Sequence, residues 1–115
     1  IKISSSMTNL YRLLFASSIL GIMILSIAPL SDLGAPSFND KLLHIIAFLY
    51  LAIISILSKF EIDKIYLFIL LISYGLLIEI AQTFLPYRYF EINDLLADLI
   101  GVTIAFGFFR IKKAI

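Results

Sequence analysis

Residues 65–85 read IYLFILLISYGLLIEIAQTFL, and Glu79 is the only charged residue among them. A helix rises about 1.5 Å per residue, so this stretch is long enough to cross the roughly 30 Å hydrocarbon core of a bilayer. It lies in a chain of 115 residues, of which 62% are hydrophobic and 15% are charged. A chain this small cannot bury so much apolar side chain in water. The composition therefore predicts an integral membrane protein with a single domain, 1–115, and excludes a cytosolic domain, a disordered tail and a nucleic-acid binder.

Three further apolar runs lie around this stretch, each bounded by charged residues or by short connectors rich in turn residues. Four helices are predicted, over about residues 10–31, 40–58, 64–85 and 92–110. Short connectors place consecutive helices antiparallel. An open sheet cannot leave the hydrogen-bonding groups of its edges in lipid. The predicted fold is therefore all-α, a four-helix transmembrane bundle with antiparallel neighbours.

The first apolar run has an alternative interpretation as a cleaved signal peptide, because the small residues Ser26 and Ala28 resemble a cleavage site. The run is longer than the apolar region of a typical signal peptide, which favours a membrane helix. Met7 is a candidate for the natural start of translation.

Lys and Arg are distributed unequally across the predicted membrane. Two of the nine, Lys41 and Arg88, fall on one side. The other seven fall on the opposite side, and they are Lys2, Arg12, Lys59, Lys64, Arg110, Lys112 and Lys113. The positive-inside rule then predicts that both termini and the loop at 59–64 are cytoplasmic, and that the loops before Lys41 and around Arg88 face outward.

Polar residues from three predicted helices lie at similar depth, within one or two turns of the outer surface. These residues are His44, Glu79, Gln82 and Asp98. An ionised side chain at the centre of a membrane helix costs about 2.5–3.5 kcal/mol, so such residues normally face a bundle interior or a wet cavity. We therefore predict that His44, Glu79 and Asp98 lie near one another inside the bundle.

Structural interpretations of the same residues stay open. Intramembrane polar side chains often serve only to hydrogen-bond helices together. Asp40 and Asp94 are also candidates for helix N-caps. Lys41 and Arg88 are long enough to extend to lipid headgroups without holding a ligand.

Small residues predict where helices approach closely. The fourth helix carries one at every fourth position, namely Ala97, Gly101 and Ala105. Such a stripe lets another helix pack at short distance. Gly75 lies one turn before Glu79 and is expected to bring a neighbour near that carboxylate. Ser17 and Gly21 form a weaker stripe on the first helix.

Known site motifs are absent from the sequence. There is no Cys, which excludes disulfides, thiolate metal sites and Cys nucleophiles. There is no phosphate-binding or dinucleotide-binding glycine loop, no His-Glu-x-x-His motif and no nucleophile elbow. One His among several carboxylates is able to bind a metal ion, but nothing in the spacing requires it. The sequence thus predicts no metal and no cofactor.

The polar positions form four short motifs in a fixed order. They read Asp40-Lys-Leu-Leu-His44, Gly75-Leu-Leu-Ile-Glu79-Ile-Ala-Gln82, Pro86-Tyr-Arg88 and Asp94-Leu-Leu-Ala-Asp98-Leu-Ile-Gly101. This order resembles the VanZ-like family of small bacterial membrane proteins, over about residues 22–110. The resemblance implies a multi-pass protein of the bacterial cytoplasmic (inner) membrane and the cell envelope. The family's namesake is linked to resistance to the glycopeptide antibiotic teicoplanin.

Asp98 departs from the family pattern, which usually has Asn at this position. An amide both donates and accepts hydrogen bonds, whereas an ionised carboxylate only accepts them. We therefore expect Asp98 to be protonated or to pair with His44, Lys41 or Arg88.

Three functions are consistent with these residues. In a binding protein, Lys41 and Arg88 would hold a phosphate or carboxylate of a lipid-linked cell-wall intermediate, with membrane lipids and no nucleic acid as partners. The other ligand-binding candidates are Asp40, His44, Glu79, Gln82, Asp94 and Asp98. In an enzyme, His44 would be the general acid or base, Glu79 or Asp94 its orienting partner, and Arg88 the stabiliser of negative charge. In a structural subunit, the polar residues would only fix helix packing and no cavity would lie beside them.

The predicted topology is tested by labelling single cysteines in this cysteine-free chain. A cysteine at Tyr87 should react with a membrane-impermeant reagent added outside cells, and a cysteine at Glu61 should not, because the positive-inside rule places the two loops on opposite sides. Labelling of the 86–91 loop only after the membrane is permeabilised would contradict the topology.

Overall fold

The computed structural model describes the backbone of residues 5–27, 40–86 and 92–114, and the side chains of 6–27, 41–86 and 92–110. Within these ranges the chain forms four helices and no strand, and the helices are α1 (Ser5–Ile27), α2 (Asp40–Leu57), α3 (Lys64–Gln82) and α4 (Ile92–Ala114). The predicted all-α fold of four helices is confirmed. Three helices, α1, α3 and α4, are long and apolar enough to cross a membrane, and α2 has a shorter apolar stretch over Lys41–Leu57.

Two helices extend further than predicted. α1 begins at Ser5 instead of residue 10, and α4 continues to Ala114 instead of stopping at 110. The predicted bounds lie where each apolar run reaches polar or charged residues. Neither extension contains Gly or Pro, so nothing in the backbone chemistry interrupts the helix there. The predicted end of the first helix, residue 31, lies outside the described residues.

Two other helices end earlier than predicted. α3 ends at Gln82 instead of residue 85, because the N–H groups of residues 83–85 bond carbonyls only three residues back and Pro86 follows. Proline disfavours helical geometry in the residue before it. α2 ends at Leu57, since Lys59 has a φ of 50° in the left-handed region, which closes the turn.

The closest contact between helices is that of α2 with α4, which pack most extensively of all pairs. Ala97, Gly101 and Ala105 are buried in this contact face, as the small-residue stripe predicts. A Cβ placed on Gly101 would lie 2.9 Å from the backbone N of Leu49 and would also clash with the carbonyl of Ile45. Gly101 is therefore needed for the two backbones to touch.

The buried core lies between α2, α3 and α4. Its largest apolar members are Phe48, Leu51, Leu71, Ile78 and Val102. No described side chain of α1 is buried, so this helix lies at the periphery. The packing predicted for the Ser17–Gly21 stripe is wrong, because a Cβ on Gly21 would meet nothing within 4 Å.

Hydrogen bonds hold the peripheral helix α1 in place. Arg12 donates from Nε to the carbonyl of Ser58 at 2.8 Å and from a terminal nitrogen to that of Lys59 at 2.9 Å. The hydroxyl of Tyr74 donates to the carbonyl of Ile19 in the middle of α1. These bonds fix where α1 lies against α2 and α3 while leaving little of it buried.

The role of Gly101 is tested by Gly101→Ala, with Gly107→Ala as the matched control on the same helix. A Cβ on Gly107 meets nothing within 4 Å. We expect Gly101→Ala to lower the free energy of unfolding by about 1–3 kcal/mol, because the helices must separate. Gly107→Ala should not lower it and should raise it by up to about 1 kcal/mol, because alanine favours a helix over glycine. Both are measured by denaturant titration in detergent micelles. Equal stability of the two variants would contradict the close contact.

Candidate functional site

One end of the bundle brings together the start of α2, the end of α3 and the start of α4. His44 lies one turn into α2, and Glu79 lies one turn before the end of α3. Asp94 and Asp98 lie in the first two turns of α4 and face α2. We call His44, Glu79, Asp94, Asp98 and Lys41 the polar cluster.

Lys41 and Asp94 form an ion pair that links the first turns of α2 and α4. The Asp94 side chain is 6% exposed, whereas 36% of the Lys41 side chain is exposed. The lysine therefore has an anionic partner inside the protein while about a third of its side chain stays exposed.

His44 is held one turn deeper by Asp98. The distance between His44 Nδ1 and Asp98 Oδ1 is 2.8 Å, and Asp98 is fully buried. An ionised carboxylate only accepts hydrogen bonds, so with Asp98 ionised the imidazole donates through Nδ1–H. His44 Nε2 then faces Asp94 Oδ2 at 3.7 Å. Of the partners expected for Asp98, His44 is confirmed.

His44 has a carboxylate partner beyond the two predicted from the sequence, Glu79 and Asp94. This partner is Asp98, at 2.8 Å, and a carboxylate oxygen of Glu79 also lies within 4.8 Å of a ring nitrogen of His44. Asp94 is too far from His44 Nε2 for a hydrogen bond, at 3.7 Å. The physical reason is the register of α2 on α4. In this register Lys41 pairs with Asp94, and His44 pairs with Asp98 one turn later.

Gly75 makes room for the side chain of Asp98 from α4. A Cβ on Gly75 would lie 2.7 Å from Asp98 Oδ2 and 3.4 Å from the ring of Phe48. The absent side chain thus creates the space in which the Asp98 carboxylate is buried against α3.

The predicted convergence of the intramembrane polar residues is confirmed. Asp98 contacts His44 at 2.8 Å, and potential metal-ligand atoms of His44, Glu79 and Asp94 all lie within 4.8 Å of one another. One metal ion would be able to bridge such a spacing. Asp94 already pairs with Lys41 and His44 already contacts Asp98, so proximity alone assigns no metal.

Gln82 connects the site to α1. Its Nε2 donates to the carbonyl of Ser26 at 2.9 Å, and Ser26 Oγ donates to the carbonyl of Ile22 at 2.6 Å. Sequence reasoning missed Ser26 as a site residue, because a serine in an apolar helix commonly bonds its own backbone. Only its position opposite Gln82 places it at the site.

A cavity of about 330 Å³ lies beside the polar cluster, between α1, α2 and α3. Three polar residues line it, namely Ser26, His44 and Gln82, and the rest of its wall is mainly apolar. Larger cavities of about 540 and 610 Å³ lie at the opposite end of the bundle, around Phe60, and contain none of the predicted site residues.

Two predicted site residues are not located by the structure. Arg88 and the side chain of Asp40 lie outside the described residues. Their assignment as ligand-binding residues stays a prediction.

Comparison with known protein families gives a match over most of the chain. The family model described as VanZ/LLP1 matches residues 3–113 of the chain. No curated protein and no solved structure matches.

The support that Asp98 gives to His44 is tested by Asp98→Ala and Asp98→Asn. The alanine variant removes the acceptor of a part-buried hydrogen bond and should lower the free energy of unfolding by about 1–3 kcal/mol. The asparagine variant keeps an acceptor oxygen and should lose less. Asp63→Ala is the control, since Asp63 is exposed and its side chain makes no capping bond. If Asp98→Ala were as stable as Asp63→Ala, the His44–Asp98 contact would contribute nothing to stability.

Proposed function

We propose that this chain, which belongs to the VanZ/LLP1 family, is a membrane protein that binds an anionic, lipid-linked component of the bacterial cell envelope at its polar cluster. The observation that carries the proposal is the position of Lys41, held by a buried carboxylate and yet exposed over a third of its side chain. A phosphate or carboxylate headgroup is the chemical class that such a cation recognises.

The ion pair with Asp94 supports this role because it orients the ammonium group in advance. A lysine side chain loses rotamer freedom when it binds a ligand, and that loss weakens binding. The Asp94 contact restricts part of this freedom before any ligand arrives. An ammonium group has three N–H donors, so its contacts are not limited to a single anion.

The cavity next to His44 favours a ligand over a purely structural role. A cluster that only fixed helix packing would need no cavity beside it. His44 instead contacts Asp98 on one side and lines the 330 Å³ cavity. Ligand pockets are typically about 300–1,000 Å³ with few polar groups in an apolar wall, which this cavity resembles.

Further parts of the proposal rest on the sequence. Arg88 would bind the same anion in bidentate fashion, and the remaining polar residues would form the floor of the site. The asymmetry of Lys and Arg places the site on the outer side of the inner membrane with both termini cytoplasmic. A role in resistance to teicoplanin-type glycopeptides would follow from sequestering or altering such a lipid.

The proposal is tested by calorimetric titration of farnesyl phosphate into wild-type protein in phosphatidylcholine nanodiscs. Lys41→Ala should weaken binding by about tenfold or more, because a charge-assisted hydrogen bond is worth roughly 1.5–3 kcal/mol. Lys64→Ala is the matched control, since Lys64 is exposed at the start of α3, at the other end of the bundle. Arg88→Lys should also weaken binding, because lysine keeps the charge but loses the planar fork.

Two results would overturn the binding proposal. The first is wild-type protein that does not bind farnesyl phosphate. The second is full binding by Lys41→Ala, Arg88→Lys and Arg88→Ala, which would leave no cation responsible for the anion.

A second function, hydrolysis of such a lipid, is favoured by one specific observation. The 2.8 Å contact with Asp98 gives His44 an oriented imidazole beside a cavity, the arrangement required of a general acid or base. Water would attack phosphorus and the bond from phosphorus to the farnesyl oxygen would break, giving inorganic phosphate and farnesol. Phosphate release by wild type that His44→Gln abolishes would establish this activity, and release equal to that of His44→Gln would exclude it for this substrate.

A further inference from the structure

We propose that the groove between α1 and α2 holds one hydrocarbon chain of the lipid whose anionic headgroup is bound at the polar cluster. This inference rests on the proposed function and adds to it the part of the ligand that the polar residues do not contact. It implies a ligand with a long hydrocarbon chain, and it excludes a small free anion as the physiological ligand.

The groove consists of two neighbouring cavities. The cavity beside His44 and a second one, of about 360 Å³, share four lining residues, Ile22, Leu25, Ile46 and Ala47. Because they share these residues, the cavities adjoin, and together we call them the groove. At its inner end the groove reaches Ser18 and Tyr50, whose hydroxyls are 3.1 Å apart.

The polarity of the groove changes along its length. Ser26, His44 and Gln82 line the end next to the polar cluster. One turn deeper, the same three helices present Ile22, Phe48 and Ile78. Ser26 and Ser18 are eight positions apart on α1, which corresponds to about 12 Å at 1.5 Å per residue. This length approaches half of the roughly 30 Å hydrocarbon core, the thickness available to a chain from one leaflet.

Gly21 keeps the middle of the groove open. It lies in the wall of the second cavity, and a Cβ placed on it would meet nothing within 4 Å. The glycine is therefore not explained by contact with another helix, in contrast to Gly101, whose Cβ would clash with the α2 backbone. A larger side chain at residue 21 would occupy the groove without displacing protein atoms near the backbone.

The two parts of the ligand would contribute differently. A hydrocarbon chain gains little by leaving lipid for an apolar groove, because both surroundings are equally apolar. The headgroup contacts would therefore supply most of the affinity. The groove would select ligands by chain shape, and a blocked groove would force the chain out of line with the bound headgroup.

The groove is tested by Gly21→Leu, with Gly107→Leu as the matched control. Both glycines have open space where the side chain would go, so the variants should fold, and thermal unfolding checks this. Ala47→Leu blocks the groove from the α2 wall and serves as the second variant. Binding of farnesyl phosphate, farnesol and inorganic phosphate is measured in phosphatidylcholine nanodiscs.

We expect Gly21→Leu and Ala47→Leu to weaken farnesyl phosphate binding by about tenfold, the order expected for overpacking an occupied site. Gly107→Leu should bind like wild type. Inorganic phosphate should bind all four proteins with equal affinity, and farnesol should bind more weakly than farnesyl phosphate.

The outcomes separate this inference from the proposed function. If farnesyl phosphate binds both groove variants as tightly as wild type but is lost in Lys41→Ala, the headgroup site stands and the groove is wrong. If farnesol binds as tightly as farnesyl phosphate, the chain alone is recognised and the headgroup site is wrong. If wild type binds none of the three compounds, both proposals fail.

Discussion

Gly101 allows the backbone of α4 to contact the backbone of α2, and the position of the polar cluster depends on that contact. The contact sets the register of the two helices, which run in the same direction. In this register Lys41 meets Asp94, His44 meets Asp98 one turn later, and Ile45 meets Gly101 next. A shift of one turn between α2 and α4 would separate each pair. The absence of a side chain at Gly101 therefore determines which charged residues pair.

Burial explains why these pairs are needed. Asp98 and Glu79 are fully buried, and an ionised carboxylate in a low-dielectric interior is costly unless it is paired and hydrogen-bonded. The helices satisfy this constraint by converging at one end, where Gly75 leaves space for the Asp98 carboxylate. Lys41 lies at the boundary, where one cation is able to neutralise a buried acid and still face the exterior.

The peripheral position of α1 has a consequence for ligand binding. The other three helices form the buried core, whereas α1 packs partly buried apolar residues against it and makes hydrogen bonds at Arg12, Ile19 and Ser26. Beside these contacts a groove lies between α1 and α2. Polar residues at one end of that groove and apolar residues along it match the two parts of an amphiphilic molecule.

The sequence by itself determined that the chain folds as four apolar helices, because apolar runs of this length have no other stable form in lipid. It also indicated that His44, Glu79 and Asp98 converge, since polar groups avoid lipid. It did not determine which carboxylate holds His44, because Asp94 and Asp98 share one helix face and differ by only one turn. Connector length suggested contacts between consecutive helices, yet the closest pair is α2 with α4. Only the tertiary structure decided that pairing. How closely two backbones approach depends on the side chains between them, and these come from residues far apart in the sequence.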